Sequence, residues 1–231
     1  MLNQLKKGLF KQKNPELAKI LSRFFKTGKG EYGEGDVFLG IKVGPQRDIA
    51  KKYTNLTLKE LQELLSSKIH EYRLVSLFIL IDKYKKADEK GKKEIVDFYL
   101  KNTKNINNWD LIDLSSGKIL GNYLLNKNKS ILYKLAKSKS LWERRISIMS
   151  TSEFIRSNKF DDTLKISEIL LKDKHDLIHK AVGWMLREVG KRYLAVEEKF
   201  LKKYYKKMPR TMLRYAIEKF DEKKRIYYLG K

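Results

Sequence analysis

Four short segments of similar composition recur along this 231-residue chain at nearly constant spacing. Their first residues are 37, 34 and 36 positions apart (71 to 108, 108 to 142, 142 to 178). The segments are 71–75 (EYRLV), 108–112 (NWDLI), 142–146 (WERRI) and 178–182 (IHKAV). A period of this length holds one pair of helices with its connections, so the chain is expected to stack helix pairs along its length.

The spacing predicts an all-α fold, namely a HEAT-like helical repeat superhelix (α-solenoid). A fifth, weaker copy starts at Pro209. Because neighbouring repeats pack directly on each other, we expect residues 1–231 to form a single HEAT-like repeat domain.

Helix-start signals agree with this fold. Thr57-x-x-Glu60 and Ser140-x-x-Glu143 have the pattern of capping boxes, in which a hydroxyl and a carboxylate satisfy unpaired backbone N–H groups. The three prolines, at positions 15, 45 and 209, are each expected at or near the start of a helix.

The chain is strongly basic, with 52 Lys and Arg against 28 Asp and Glu, a formal charge of +24. Both signs are spread along the sequence, which indicates a folded basic surface and not a charged tail. Nucleic acid is the favoured partner, because neutralised phosphates release counterions. An anionic membrane is a weaker alternative, since the sequence has no lipidation motif and no apolar run of 18 residues. The first residues lack a signal-peptide pattern, so we expect a cytoplasmic protein, nucleoid-associated when it is bound to DNA.

One segment departs from the helical pattern. Residues 27–36 contain four of the thirteen glycines and are predicted to form a loop. The loop lacks the order of a P-loop, which leaves a flexible connection or a backbone that approaches DNA closely. The lysines at 6, 7, 11 and 13 are either an additional DNA-binding arm or, as we favour, a solvated helix face.

The residues best suited to chemistry are Trp109 and Asp113, which are four positions apart and therefore share one helix face. An indole beside a carboxylate suits a developing cation. Arg145 and Trp184 follow near the repeat step, and Trp184 lies within a basic stripe of Lys180, Arg187 and Lys191. The plainer alternatives are that the tryptophans pack in the core and that Arg145 forms a structural ion pair with Asp113.

His175 and His179 have the i, i+4 spacing of a zinc-binding helix, but no H-E-x-x-H pattern or cysteine accompanies them. We therefore expect no metal site and no cofactor. Disulfide and thiol chemistry are excluded because the chain has no cysteine.

Longer motifs resemble those of the DNA alkylation repair family of AlkD-type glycosylases, from about residue 20 to residue 220. The motifs are 24–36 (FFKTGKGEYGEGD), 38–41 (FLGI), 108–113 (NWDLID), 141–145 (LWERR) and 180–188 (KAVGWMLRE). The resemblance implies that the protein holds duplex DNA on a basic concave face. It also implies that the protein excises positively charged N3- and N7-alkylpurines.

By motif match, Asp113 would be the catalytic carboxylate, and Trp109 and Trp184 the aromatic pair that flanks the deoxyribose of the lesion. Arg145 would contact phosphate, although a one-residue shift would exchange it with Arg144. The resemblance also implies that the lesion stays stacked without base flipping. The residues expected to bind DNA are Tyr32, Arg144, Lys180, Arg187 and Lys191.

The chemistry is consistent with these residues. Glycosidic cleavage passes through an oxocarbenium-like state, and a purine that already carries positive charge needs no acid to leave. We therefore expect a monofunctional DNA glycosylase of base excision repair, monomeric and acting on double-stranded DNA that contains alkylated purines. The alternatives are a non-catalytic HEAT-repeat binder of damaged or branched DNA, and a repeat scaffold for RNA or an acidic protein.

Overall fold

The structure, a computed structural model, describes residues 1–230 and consists almost entirely of helices. In the first half of the chain the α-helices are α1 (Leu2–Phe10), α2 (Pro15–Phe24), α3 (Val43–Lys52), α4 (Leu58–Leu65), α5 (His70–Lys86), α6 (Glu89–Lys101) and α7 (Trp109–Ser116). In the second half they are α8 (Asn122–Leu124), α9 (Ser130–Ala136), α10 (Leu141–Ser150), α11 (Ser152–Arg156), α12 (Asp161–Leu170), α13 (Asp176–Arg192), α14 (Leu194–Tyr204), α15 (Arg210–Ala216) and α16 (Glu222–Leu229).

Short helices of other types join some of these elements. Three are 3₁₀ turns, Thr103–Asn105, Tyr205–Lys207 and Ile217–Lys219, and Gly117–Gly121 is π-helical. The β-structure within residues 1–230 is one isolated parallel bridge between Val37 and Ile69. The predicted all-α helical repeat fold is confirmed.

Every copy of the repeat lies at the start of a helix. The segments that begin at residues 71, 108, 142 and 178 fall within two positions of the first residues of α5, α7, α10 and α13. The weaker copy at Pro209 directly precedes α15. The recurring sequence segment therefore marks the start of the second helix in each repeat.

The helix starts follow the predicted chemistry. At Thr57 both hydrogen bonds of the capping box with Glu60 are present. At Ser140 only one half of the predicted capping box is present. The hydroxyl accepts from the backbone N–H of Glu143, but the N–H of Ser140 donates to the hydroxyl of Ser138, which in turn donates to the carboxylate of Glu143. Pro15 opens α2, Pro45 lies in the first turn of α3 and Pro209 caps α15.

The contacts within the chain group into two compact units, Met1–Ser115 and the remainder from Ser116 onward. In the first unit α5 is buried along most of its length and packs against α3 and α4. In the second unit α13 is central and packs against α10, α12, α14 and α15. Each unit therefore has a long helix at the centre of its own core.

A long loop, residues 25–42, connects α2 to α3 and contains the glycine-rich segment, as predicted. It returns to α2 at Gly40, whose φ of +83° favours glycine. A Cβ at this position would lie 2.1 Å from the carbonyl oxygen of Asn14, the N-cap of α2. Within residues 1–230, no helix is long and apolar enough to cross a membrane.

Candidate active site

Trp109 and Asp113 both lie on α7, one turn apart. Both side chains are half-buried, whereas Leu111 and Ile112 of the same helix are fully buried. The helix thus packs into the core through its apolar residues. The indole of Trp109 and the carboxylate of Asp113 lie on another face and are partly accessible.

The ring of Trp109 packs on a cluster of three mutually contacting rings, Phe25, Phe38 and His70, in which the centroids of Phe25 and His70 are 5.1 Å apart. The centroid of the Trp109 ring is 4.9 Å from that of Phe25, with an interplanar angle of 21°. Phe25 stacks on Phe38 at 5.1 Å and 18°, and Phe38 stacks on His70 at 4.5 Å and 22°. Phe24 meets the indole edge-on at 5.7 Å and is 60% exposed. One face of Trp109 is therefore supported by buried rings.

A buried ionic network surrounds His70, the polar member of this cluster. His70 Nδ1 is 3.1 Å from Asp36 Oδ2, and His70 Nε2 is 2.8 Å from Asp110 Oδ2. Arg73 Nη2 donates to the same oxygen of Asp36 at 2.5 Å, and Asn108 Nδ2 is 3.4 Å from it. The loop, α5 and the start of α7 thus meet at one carboxylate.

The network favours a charged histidine. Burial alone would lower the pKa of His70, but the charge of Asp110 and the hydrogen bonds that His70 donates to both carboxylates raise this pKa to about 9. Burial would raise the pKa of Asp36, yet hydrogen bonds from His70 and Arg73 outweigh it and lower that pKa. Both ring nitrogens of His70 therefore act as donors near neutral pH, and two cations balance two carboxylates.

The loop is also held by Glu71, which is fully buried. Its carboxylate accepts from the backbone N–H groups of Leu39, Gly40 and Ile41. In the glycine-rich part, the carboxylates of Glu31 and Glu34 accept from the N–H groups of Gly28 and Gly30. These two glycine amides are therefore occupied by the loop's own carboxylates. Tyr32, predicted to bind DNA, is half-buried in this segment.

The two adjacent arginines of α10 have different surroundings. Arg144 Nε is 2.6 Å from Asp173 Oδ2, and its Nη1 donates to the carbonyl oxygens of Ser138 and Lys139. Arg145 is 4% exposed, and its Nη1 donates to the carbonyl oxygen of Leu177 at 2.5 Å. Both guanidinium groups thus donate to backbone carbonyl groups of neighbouring segments. The phosphate contacts predicted for these two arginines stay predictions.

Trp184 lies on α13, directly after a close approach between helices. At Gly183 an added Cβ would lie 2.4 Å from the carbonyl oxygen of Met212 on α15. This glycine lets the two helices pack closely and fixes the position of the next residue. The indole of Trp184 is half-buried, and its Nε1 donates to Glu188 at 3.1 Å.

The basic stripe around Trp184 is paired with acidic residues. Lys180 forms an ion pair with Asp176 at 2.7 Å, and Lys191 with Glu188 at 2.7 Å. Arg187 forms an ion pair with Glu218. The three cations thus lie on α13, two turns and then one turn apart, each with part of its charge neutralised.

The two histidines with the spacing of a zinc-binding helix form hydrogen bonds at the start of α13. His175 caps α13 by accepting from the N–H of Leu177, and His179 Nε2 is 2.5 Å from the carbonyl oxygen of Asp173. Among residues 1–230 there is no group of three or more His, Asp and Glu side chains placed to hold a metal ion.

The fold and these residues define an all-α helical repeat protein with a basic composition. The sequence profile of a family described as DNA alkylation repair enzyme matches residues 5–220. The chain therefore belongs to the DNA alkylation repair enzyme family.

Two solved structures share the fold. The first is a predicted DNA alkylation repair enzyme from Enterococcus faecalis, 17% identical, with a TM-score of 0.69 over 91% of this chain and 98% of that one. The second is AlkD2 from Streptococcus mutans, also 17% identical, with a TM-score of 0.57 over 89% of this chain and 99% of that one. The comparison with curated proteins found no match.

Sequence reasoning found Trp109 but missed what supports it. Phe25 and Phe38 were visible only as parts of motifs, and the network of Asp36, His70 and Asp110 had no local pattern. A usable signal was present, because Trp109 is flanked by two polar residues that lie at the first turn of a buried helix.

Proposed function

We propose that this protein is a monofunctional DNA glycosylase that releases positively charged N3- and N7-alkylpurines from duplex DNA. The observation that carries the proposal is the pair on α7, a supported indole and a carboxylate one turn apart on a partly accessible face. Membership of the DNA alkylation repair enzyme family and the charge of +24 support DNA as the partner.

The proposed reaction is hydrolysis of the N-glycosidic bond. The alkylated purine leaves as a neutral base, since breaking the bond returns its electron pair to the ring. The sugar then carries the positive charge, which Asp113 stabilises while a water molecule attacks the anomeric carbon and releases one proton to solvent. The electron-rich face of Trp109 adds a cation–π attraction, worth about 0.5–2 kcal/mol.

In this proposal Trp184 is the other aromatic residue, and Arg145 contacts phosphate. Lys180, Arg187 and Lys191, together with Arg144 and Tyr32, bind the DNA backbone. No base flipping is invoked, because a cation-stabilising face needs access to the sugar and not a pocket around the base. The reaction as written uses no metal or cofactor.

The test compares Asp113→Asn with the wild type on duplex DNA that contains 7-methylguanine, in single-turnover reactions with a chelator. We expect the variant to bind this DNA with nearly unchanged affinity and to lose base release. Asp97→Asn is the matched control, since Asp97 is a half-exposed carboxylate on α6 that pairs with Lys93. Release retained by Asp113→Asn would refute the assignment, and binding without release by the wild type would favour a non-catalytic DNA binder.

A further inference from the structure

Trp109 is held through both of its neighbours in the chain. Asn108 accepts from the backbone N–H of Trp109 with its side-chain oxygen and places its amide nitrogen beside Asp36. Asp110 accepts from the N–H of Leu111 with one carboxylate oxygen and contacts His70 with the other. The first turn of α7 is therefore connected to the buried network on either side of the indole.

The same network also reaches the indole through its ring. His70 stacks on Phe38, Phe38 on Phe25, and Phe25 on Trp109, and all three supporting rings are less than 10% exposed. A shift of the imidazole would therefore be transmitted to the indole by direct contact, as expected in an interior packed at near-crystalline density.

We propose that His70, held between Asp36 and Asp110, is a positioning residue that sets the orientation of the Trp109 indole against the sugar of the lesion. This role rests on the proposed glycosylase function. His70 does not touch the substrate and acts through the backbone of α7 and through the stacked rings.

The composition of the network supports a positioning role. Buried ion pairs contribute little net stability compared with apolar packing, and in some proteins they serve to specify one geometry. The groups that face His70 are Asp36 from the loop, Arg73 from its own helix and Asp110 from α7. The neighbouring Glu71 is directed at the loop amides instead.

The test uses Trp109 as its own reporter. The variant Trp142→Phe, Trp184→Phe leaves it as the single tryptophan and is used for fluorescence anisotropy only. In this background we expect the anisotropy of Trp109 to fall as the pH rises through about 9, where His70 loses its proton. His70→Gln should give low anisotropy at every pH, because both N–H groups of glutamine are on one nitrogen, whereas His70 reaches its two carboxylates from two separate ring nitrogens.

Asp110→Asn provides a second test. The side-chain amide oxygen of asparagine can still accept from the backbone N–H of Leu111. The substitution removes the charge that favours protonated His70, so the fall in anisotropy should move to lower pH. Leu9→Ala, a core truncation in α1, is the control for lost stability alone and should leave the pH response of Trp109 unchanged. If His70→Gln and Asp110→Asn both show the same pH dependence of Trp109 anisotropy as the single-tryptophan background, the positioning role is overturned.

A second arm uses the 231-residue protein with all three tryptophans present. His70→Gln should slow release of 7-methylguanine by about tenfold to a hundredfold, the range expected when a catalytic group is misplaced. DNA affinity should stay within about threefold, because phosphate contacts dominate it. Absence of release by the wild type would overturn the proposed function, whereas the anisotropy result is independent of excision, so the two failures are distinguishable.

Discussion

At the scale of single residues, Trp109 depends on a residue from outside its own helix. The indole rests on Phe25, which is 7% exposed and belongs to the loop after α2. Asp113 lies one turn further along α7. The orientation of the ring is therefore sensitive to the loop.

We predict that Phe25→Leu slows excision while costing less than about 1.5 kcal/mol of folding stability, the usual limit for swaps of similar apolar volume. Leucine fills the space but offers no flat face to Trp109. Rates of base release and urea unfolding would be measured together. Phe154→Leu, at a fully buried ring in the second unit, is the control. Equal loss of rate in the two variants would contradict a specific role for the stacked ring.

Glu197 is a second residue with an unusual environment. It is 1% exposed, and its carboxylate oxygen lies so near Gly190 on α13 that a Cβ there would be 1.6 Å away. Burial, with the nearby charge of Glu198, raises the pKa of Glu197 from 4.5 to about 9. The folded protein therefore keeps this carboxyl neutral, whereas the unfolded chain ionises it above pH 4.5.

The stability contributed by this group is present below pH 4.5 and is lost as the pH rises towards 9, by up to about 1.4 kcal/mol per pH unit. We predict that Glu197→Gln raises the free energy of unfolding at pH 8 and raises it much less at pH 5. Glu222→Gln, at a side chain 75% exposed, is the matched control. A gain of equal size at both pH values would show that Glu197 does not titrate in this range.

At the scale of elements, the loop of residues 25–42 depends on α5. The carboxylate of Glu71 accepts three consecutive N–H groups of the loop, and the carbonyl and N–H of Val37 pair with the chain around Ile69. The loop thus brings Phe25 and Phe38 to the site without a helix or strand of its own.

We predict that Glu71→Gln accelerates hydrogen exchange at Leu39, Gly40 and Ile41. The amide supplies one acceptor oxygen where the carboxylate supplies two, and a buried N–H left unpaired costs about 1–3 kcal/mol. Exchange would be followed by mass spectrometry on native protein. Glu63→Gln, which alters an exposed ion pair with Lys6, should leave these amides protected. Unchanged protection in Glu71→Gln would contradict this anchoring role.

The helices were predictable because their signals are local. A period near 36 residues placed the starts of α5, α7, α10 and α13, and the Thr57–Glu60 capping box placed α4. The support of Trp109 was not predictable in this way. Asp36, His70 and Asp110 are 34 and 40 positions apart along the chain, and only the folded loop brings them together. The roles of Asp113, Arg145 and Trp184 came from motif resemblance and stay predictions.

At the scale of the whole molecule, the charge of +24 is the dominant property. Many basic side chains are already paired with acidic ones, including Lys180 and Lys191 on α13. Such exposed pairs contribute about 1 kcal/mol or less, so a phosphate can compete for the cation. The single HEAT-like domain and the monomeric state stay predictions at this scale.

We predict that DNA binding weakens steeply with salt, by about 0.9 log unit per neutralised phosphate for each log unit of salt. Removing one phosphate contact, as in Lys180→Ala or Lys191→Ala, should reduce the slope by about one such step. Fluorescence titrations at several salt concentrations would measure it. Lys85→Ala removes an equal charge from α5, and an equal change in slope there would contradict contacts specific to α13.

The central claim is that this protein breaks the N-glycosidic bond of a cationic alkylpurine. The most direct measurement is mass spectrometry of the bases released from methylated duplex DNA by the wild-type protein with a chelator present. The account predicts free 7-methylguanine or 3-methyladenine together with abasic sites in the strand. Intact methylated strands, in the presence of tight and salt-dependent binding to the same duplex, would contradict it.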